Sequence, residues 1–401
     1  MQRRHLVIAT FVALGAVAAA ACQPVATAPP QAAPAPAPAP APAAAPVSAC
    51  AASVGPDDTT QYFAMVDDGD GVADAVAFDA GSEQEKRVEV AAIDATQGTV
   101  LAVEPDWPVQ AAVANPGDDP RYANPPQWGV DAAGFPAAWG NAASQAGGVR
   151  VALLDTGVHA AHQDLVGAVT PGTDQIGCGG NGTTDSNGHG THVAGILGMR
   201  DNTVGGVGGA PDVQIYPVRV LNAQGAGSYS DVINGINNAV AAGANVISMS
   251  LGGPNFSQAL QDAVTNAVNA GVVIFASAGN DGNTTPNYPA ALAGVISVAA
   301  TVQAGGLASY SQRGSNVDIA APGDLIDSTL NTGGYGFKSG TSMAAPFAAA
   351  AAALLIAKCR GITVITPAQI ESRLESNTTP IAGIQPGSGA LRADLATVAP
   401  C

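Results

Sequence analysis

The chain is 401 residues long, 47% of them hydrophobic and 4% aromatic, with a formal net charge of -17. This length is enough for one large or two moderate domains with a sizeable core. The strong negative charge argues against nucleic acids and anionic membrane surfaces as partners. Together with the 49 glycines, this composition is typical of a loop-rich α/β protein with small side chains.

Residues 1–21 have the pattern of a secretory signal peptide. Arg3 and Arg4 form a positively charged start, and an apolar stretch runs from Leu6 to Ala21. A stretch of roughly 16 apolar residues is short for a membrane span. We therefore expect an exported protein, located outside the cell, in the periplasm or on the cell envelope of a bacterium.

Residues 22–48 form a linker with two interpretations. The stretch that ends at Cys22 is similar to a bacterial lipobox, although Ala19 stands where a leucine is usual, and Cys22 would then be lipidated and attach the protein to a membrane. Pro24 to Pro46 is almost wholly Ala and Pro, which favours an extended polyproline conformation over a packed core. The linker would be either a stalk behind a lipid anchor or a spacer without one.

The other four cysteines form an even set in an exported chain, which predicts two disulfides. Three pairings are possible. We favour Cys359 with Cys401, which would pin the tail of the chain to the end of a helix, and this leaves Cys50 with Cys178. The second bond would tether the N-terminal region to the rest of the protein even after a cut in the backbone.

Residues 49–114 form a small segment with strand-like stretches. We predict strands with period-two patterning over Tyr62 to Val66, Val72 to Phe78, Arg87 to Ile93 and Thr99 to Glu104. The acidic stretch from Asp67 to Asp74 has the oxygen-rich composition of a calcium loop, although the turn of a β-hairpin is the simpler explanation.

From residue 115 onwards, apolar runs alternate with helical patterns. Helices are predicted over Ser230 to Ala242 and Ser257 to Ala270, each followed by a glycine that ends it. Buried strands are predicted over Val149 to Leu154, Val213 to Leu221, Val246 to Leu251, Val272 to Ala278, Val295 to Ala300 and Val317 to Ala321. This alternation predicts a mostly parallel sheet covered by helices on both faces, with functional groups beyond the carboxyl ends of its strands.

Three motifs in this region carry the residue types of nucleophilic catalysis. Asp155 begins Asp-Thr-Gly at a strand end, His189 begins His-Gly-Thr-His-Val-Ala-Gly at a helix start, and Ser342 lies in Gly-Thr-Ser-Met-Ala-Ala-Pro. A serine hydroxyl needs a base to take its proton and a third group to orient that base. Taken singly, each residue would be an ordinary turn or cap, and one Asp-Thr-Gly cannot supply the paired carboxylates of an aspartic protease.

The three motifs, in the order Asp, His, Ser, resemble the signature blocks of the subtilisin-like serine proteases, the subtilase family. The likeness extends from about Gln127 to Leu355. It implies a doubly wound, mostly parallel α/β sheet over residues 115–401. It also implies that residues 49–114 form a small α+β propeptide, which would act as chaperone and inhibitor of the enzyme.

The resemblance also assigns the remaining groups of the site. Asn280 in Ala-Gly-Asn-Asp-Gly and the Ser342 N–H would stabilise the oxyanion. A peptide would add to the strand Ser250, Leu251, Gly252 and Gly253. The S1 pocket would lie between this strand and Ala276 to Gly279, with Asn287 near its floor, as in thermitase-like members. A neutral, roomy pocket predicts broad specificity with apolar P1 residues.

A tight calcium site is the cofactor that the resemblance implies. Its ligands would be the Asp164 carboxylate, the Asn202 amide oxygen and the backbone carbonyls of Arg200, Val204 and Gly206, all hard oxygens that suit Ca²⁺. The alternative is a plain surface loop.

The sequence therefore predicts a monomeric serine endopeptidase that acts on polypeptides through an acyl-enzyme. Two alternatives stay open. One is a maturation protease or transpeptidase dedicated to a single secreted partner, and the other is a subtilase fold that has lost catalysis and serves as a binding module. Phe347 occupies a position where the family often has His, which predicts altered helix packing rather than lost catalysis.

Overall fold

The computed structural model describes residues 61–67, 73–80, 82–96, 99–105, 119–123, 127–142, 146–176, 180–384, 388–398 and 400–401. The chain divides into two compact units, Met1–Gln110 and Ala111–Cys401. The predicted signal peptide and linker, Cys22, Cys50 and Cys178 lie outside the described residues, as do residues 68–72 of the candidate calcium loop.

The described residues of the first unit form three strands and one helix: β1 (Gln61–Asp67), β2 (Ala73–Asp79), α1 (Glu83–Thr96) and β3 (Thr99–Pro105). The strands form an antiparallel sheet in the order β2-β1-β3. The prediction of a strand over Arg87–Ile93 was wrong, because these residues lie in α1. Glu, Lys, Arg and Ala favour a helix, and Ile93 is buried there while Val88 is 61% exposed.

The second unit is built on a nine-stranded sheet in the order β13-β14-β10-β9-β8-β7-β4-β6-β5. Its pairs are parallel except for β13 with β14, which confirms the predicted mostly parallel sheet. The strands are β4 (Arg150–Asp155), β5 (Thr173–Asp174), β6 (Gln214–Arg219), β7 (Val246–Met249), β8 (Val273–Ser277), β9 (Val295–Thr301), β10 (Ile319–Pro322), β13 (Thr378–Pro380) and β14 (Gly389–Leu391). A separate hairpin joins β11 (Ile326–Thr329) to β12 (Tyr335–Lys338).

Helices cover both faces of this sheet. They are α2 (Pro120–Ala123), α3 (Trp128–Ala132), α4 (Phe135–Asn141), α5 (His189–Gly198), α6 (Tyr229–Ala241), α7 (Gln258–Asn269), α8 (Thr341–Cys359), α9 (Pro367–Ser376) and α10 (Ala393–Val398). Adjacent residues of β4 point to opposite faces: Leu153 packs in the cluster with α4, α5 and α8, and Leu154 in the cluster with α6 and α7. The sheet is therefore the middle of three layers.

Helix α8 runs through the core of this unit. Its alanines from Ala348 to Ala353 are completely buried, since small side chains let the helix lie close to the sheet. Among the described residues it is the one helix long and apolar enough to cross a membrane, and it serves here as a core helix. Phe347 packs against Phe135 with ring centroids 5.8 Å apart, so the aromatic side chain that replaces His is part of the core.

The C-terminal tail is fastened to the end of α8. Cys359 and Cys401 form a disulfide with a Cα–Cα distance of 5.4 Å. The backbone N–H of Ala393 also donates to the Ala133 carbonyl at 2.8 Å. The tail therefore completes the helical layer on that face.

Candidate active site

The first functional side chain stands at the carboxyl end of strand β4, an interior strand of the sheet. Asp155 is completely buried, and its Oδ1 accepts hydrogen bonds from the Thr156 N–H at 2.7 Å and from His189 Nδ1 at 2.8 Å. A carboxylate that binds Nδ1–H leaves Nε2 of the imidazole as the nitrogen that can accept a proton. Burial fixes this orientation because the carboxylate cannot exchange its partners for water.

His189 is the first residue of α5, directly after Gly188, whose φ of 92° is in the left-handed region that favours glycine. The His189 side chain is 25% exposed, so it faces the solvent cleft on one side. Burial lowers its pKa, but the charge of Asp155 and the hydrogen bond to it outweigh burial, and the net effect raises the pKa above 6.5. The Lys338 charge lowers the pKa slightly and the Asp185 charge raises it.

Asp185 is a positioning residue that the sequence analysis missed. Its Oδ1 accepts from the Thr156 hydroxyl at 2.9 Å and the Gly188 N–H at 2.8 Å, and its Oδ2 accepts from the Thr191 N–H at 2.9 Å. One buried carboxylate therefore links the turn after Asp155 to the first turn of α5. Its only signal in the sequence is an acidic residue four positions before His189, which is also a common turn pattern.

Ser342 is the second residue of α8 and lies beside the strand segment at Ser250. Its Oγ donates to the Ser250 carbonyl at 3.3 Å, and the Ser250 hydroxyl donates to the Ser342 carbonyl at 2.8 Å. Ser342 thus stands at a helix N-terminus, where backbone N–H groups point into the cleft.

Asn280 is held so that its amide nitrogen is free to act as a donor. Its Oδ1 accepts from the Thr341 N–H at 2.9 Å and the Thr341 hydroxyl at 3.0 Å. A side chain at Gly340 would lie 3.6 Å from both Asn280 Nδ2 and the Ser342 nitrogen. The two predicted donors therefore converge on one small volume, which an oxyanion needs. Thr341, which sets the amide orientation, was not predicted.

Two cavities flank the predicted substrate-binding segment. One of about 440 Å³ is lined by His189, Thr156, Leu221 and Tyr229, and a second of about 400 Å³ by Ser342, Asn280, Gly279, Asn287 and Gln312. Leu251 and Gly252 line both cavities. This segment is therefore the ridge along which an extended peptide would lie.

The structure changes the role of two predicted substrate-binding residues. Gly253 exchanges both backbone hydrogen bonds with Tyr288, each 2.8 Å long, so its backbone groups are not free to pair with a peptide. Ala276 is completely buried in the core cluster of α6 and α7, because the alternation of β8 turns it away from the cleft. Gly253 still lines the cavity of about 400 Å³, together with Ser277 and the predicted Gly279.

The predicted calcium ligands lie around a buried carboxylate. Asp164 is completely buried and its Oδ1 has no hydrogen-bond partner, while Oδ2 accepts from the Gly206 N–H at 3.1 Å. Burial raises the pKa of Asp164 to about 6, against the effect of hydrogen bonds from Gly206, Tyr335 and Asn202. An unsatisfied buried carboxylate oxygen fits a cation.

Other groups around Asp164 agree with an oxygen-rich site. The Arg200 guanidinium donates to the Pro211 carbonyl at 2.7 Å and pairs with Asp212, so that only its backbone remains for the site. Gln127, which the sequence analysis missed, brings its Oε1 to the same loop and accepts from the Val207 N–H at 2.8 Å. No cluster of three or more His, Cys, Asp or Glu side chains suited to a metal occurs in the described part of the chain.

Two further histidines, His162 and His192, have structural roles. His192 Nε2 donates to the Gly336 carbonyl at 2.9 Å, and burial lowers its pKa to about 4. His162 is buried in a turn and donates from Nε2 to the Gly334 carbonyl at 2.9 Å. Both side chains tie their segments to the β11–β12 hairpin.

Comparisons with known proteins agree with this geometry. The sequence pattern of the subtilase family matches residues 146–391. The chain is 43% identical to thermitase of Thermoactinomyces vulgaris over 269 residues, which cover 66% of this chain and 92% of thermitase. It is 43% identical to subtilisin of Bacillus pumilus over 235 residues, 58% of this chain and 84% of that protein. The structure is similar to that of a cold adapted subtilisin-like serine proteinase, with a TM-score of 0.57, 34% identity and coverage of 62% of this chain and 90% of the other.

Proposed function

Since the chain belongs to the subtilase family and is a serine endopeptidase, we propose that it hydrolyses polypeptides with Ser342 as nucleophile, His189 as base and Asp155 as the group that orients the base. The observation that carries this assignment is the 2.8 Å hydrogen bond between Asp155 and His189. His189 lines one of the two cavities that share Leu251 and Gly252, and Ser342 lines the other. It gives the imidazole the tautomer that a general base needs.

The proposed reaction begins when Ser342 Oγ turns from the Ser250 carbonyl to His189 Nε2. The serine oxygen attacks the scissile carbonyl while His189 takes its proton, and the imidazolium then gives that proton to the leaving amine. Asn280 Nδ2 and the Ser342 N–H would donate to the oxyanion. Water, deprotonated by His189, releases the acyl group and restores the enzyme.

We propose a broad specificity with apolar P1 residues. The S1 pocket is assigned to the cavity of about 400 Å³ behind Ser342. Apart from Asp281, which is exposed at the mouth, the residues that line it are uncharged. Such a pocket accepts apolar side chains of several sizes, which favours a general protease over a maturation enzyme dedicated to one partner.

We also propose calcium as a structural cofactor, export from the cell and a propeptide in the first unit. Asp164, Gln127 and Asn202 would hold the ion with carbonyls of the 200–206 loop, and the ion would neutralise the buried carboxylate. Export is supported by the N-terminal sequence. A cut between the two units would separate residues 49–114 from the catalytic domain.

The function is tested by hydrolysis of peptide p-nitroanilides at neutral pH. We expect Ser342→Ala to lower kcat at least ~10⁴-fold with an unchanged fold. The matched control Ser372→Ala, on the exposed side of α9, should retain full activity. Equal activity of the wild type and Ser342→Ala would refute the assignment, and a wild type that hydrolyses no peptide would favour the binding-module alternative.

A further inference from the structure

At the base of the proposed S1 pocket, the side chain of Gln312 forms all its hydrogen bonds with residues 283–285, the loop that forms one wall of the pocket. Gln312 is 3% exposed. Its Oε1 accepts from the Asn283 N–H at 2.9 Å, and its Nε2 donates to Asn283 Oδ1 at 3.0 Å and to the Thr285 carbonyl at 2.9 Å. All three side-chain hydrogen bonds go to residues 283–285.

Gln312 also lies against the segment of Gly279 on the other side of the pocket. Its backbone N–H donates to the Gly279 carbonyl at 3.0 Å. Gly279 has a φ of 111°, and a Cβ there would lie 2.8 Å from Gln312 Cγ. Gln312 therefore spans the base of the pocket, from the segment of Gly279 to the loop that precedes Asn287.

We propose that Gln312 is a specificity-determining residue, which fixes the depth of the S1 pocket by holding the 283–285 loop at a set distance from Gly279. This inference rests on the proposed function, since it concerns the pocket next to Ser342. The amide group of Gln312 forms its hydrogen bonds with the loop and not with the substrate. Gln312 would therefore affect substrate recognition through the shape of the pocket. A pocket whose wall is held rigidly discriminates by size, whereas a wall that can move accommodates residues of different size.

The test compares tetrapeptide p-nitroanilides that differ only in Phe or Ala at P1. In Gln312→Met, which has a similar volume but cannot form the three hydrogen bonds, we expect the ratio of kcat/KM for Phe over Ala to change on the order of tenfold. The change should reside in KM, because the catalytic groups keep their places. In Gln312→Glu the ratio should depend on pH, since only a protonated carboxyl can donate to the loop.

Gln261 is a matched control. It ties α7 to another loop, because its Oε1 accepts from the Ala293 N–H at 3.0 Å and its Nε2 donates to the Ala293 carbonyl at 3.0 Å. Gln261→Met should lose comparable stability and leave the P1 ratio unchanged. An unchanged ratio in Gln312→Met, with a wild type that cleaves both substrates, would overturn the inference. A wild type that cleaves neither would instead overturn the proposed function.

Discussion

At the residue scale, the base strength of His189 results from two opposing effects. Burial favours the neutral imidazole, and the Asp155 charge with its hydrogen bond favours the imidazolium. The second effect prevails and raises the pKa of His189 above its ordinary value. A general base works only when neutral, so the activity of the enzyme should be lost as the pH falls through this pKa.

We therefore predict a kcat/KM profile that rises with pH and has its midpoint above 6.5, the ordinary pKa of histidine. Asp155→Asn removes the largest effect that raises the pKa of His189, so burial and the Lys338 charge outweigh the remaining Asp185 charge and the midpoint should move below that value. Its kcat should also fall ~10⁴-fold, because the amide no longer selects the tautomer with a proton on Nδ1. The check is kcat/KM from pH 5 to 9 for both proteins, and an unmoved midpoint in Asp155→Asn would contradict this account.

Asn280 should contribute to the rate and little to substrate binding. Asn280→Leu removes the Nδ2 donor, and we expect a loss of ~10²–10³ in kcat with KM nearly unchanged, the magnitude typical of removing one oxyanion donor. Thr341→Val keeps the shape and removes one of the two bonds to Asn280 Oδ1, so a smaller loss is expected. Steady-state kinetics of both variants test this order, and a larger effect of Thr341→Val would contradict it.

At the element scale, the loop from Arg200 to Gly206 covers the carboxylate of Asp164, whose burial costs free energy when it is charged. Asp164 lies beneath it with one oxygen unsatisfied, and Arg121 donates its N–H to the Gly205 carbonyl at 2.6 Å. A bound cation would therefore stabilise the loop and the segment that begins at Asp119. Ligands that bind only the folded state raise its stability by mass action.

We predict that EDTA lowers the melting temperature of the wild type. At a calcium concentration a hundred times Kd the ion is worth ~3 kcal/mol. Asp164→Asn should abolish most of this calcium dependence, while the matched charge change Asp201→Asn, in the same loop, should retain it. Thermal unfolding with and without calcium provides the measurement. An equal response of all three proteins would rule out Asp164 as a ligand.

The sequence predicts an element or a site residue well when the residues that determine it are neighbours in the chain. Asp155, His189 and Ser342 were recognisable because each stands in a distinctive turn. The sequence analysis predicted a strand over Arg87–Ile93, where the structure has α1, because a short run of this pattern fits either a strand or a helix. Asp185, Gln127 and Gln312 were missed because their partners are set by tertiary contacts between distant segments, and Ala276 was misplaced because one position along a strand changes the face.

At the scale of the whole molecule, the disulfide ties the tail of the chain to the core. Cys359 at the end of α8 is joined to Cys401, and α10 between them packs on α4, where Asn141 Nδ2 donates to the Asp394 carbonyl at 3.2 Å. Cys359 and the catalytic candidate Ser342 stand at opposite ends of α8. Its attachment should therefore affect the stability of the protein more than its chemistry.

We expect Cys401→Ser to destabilise the catalytic unit by ~2–4 kcal/mol, because the bond closes a long loop in the unfolded chain. Activity at 25 °C should remain within about twofold of the wild type, since tail and active site share no residues. Thermal inactivation and hydrogen exchange over Ala393–Val398 would show the loss. A variant with unchanged exchange in α10 would argue against this role of the bond.

The most direct test of the account is covalent labelling of the purified protein with a fluorophosphonate, followed by intact mass and peptide mapping. The account predicts one label per molecule, located on Ser342, and no label in Ser342→Ala or when the wild type is kept well below the pKa of His189. Labelling of a different serine, or none in folded protein freed of its N-terminal unit, would contradict the assignment of the catalytic centre.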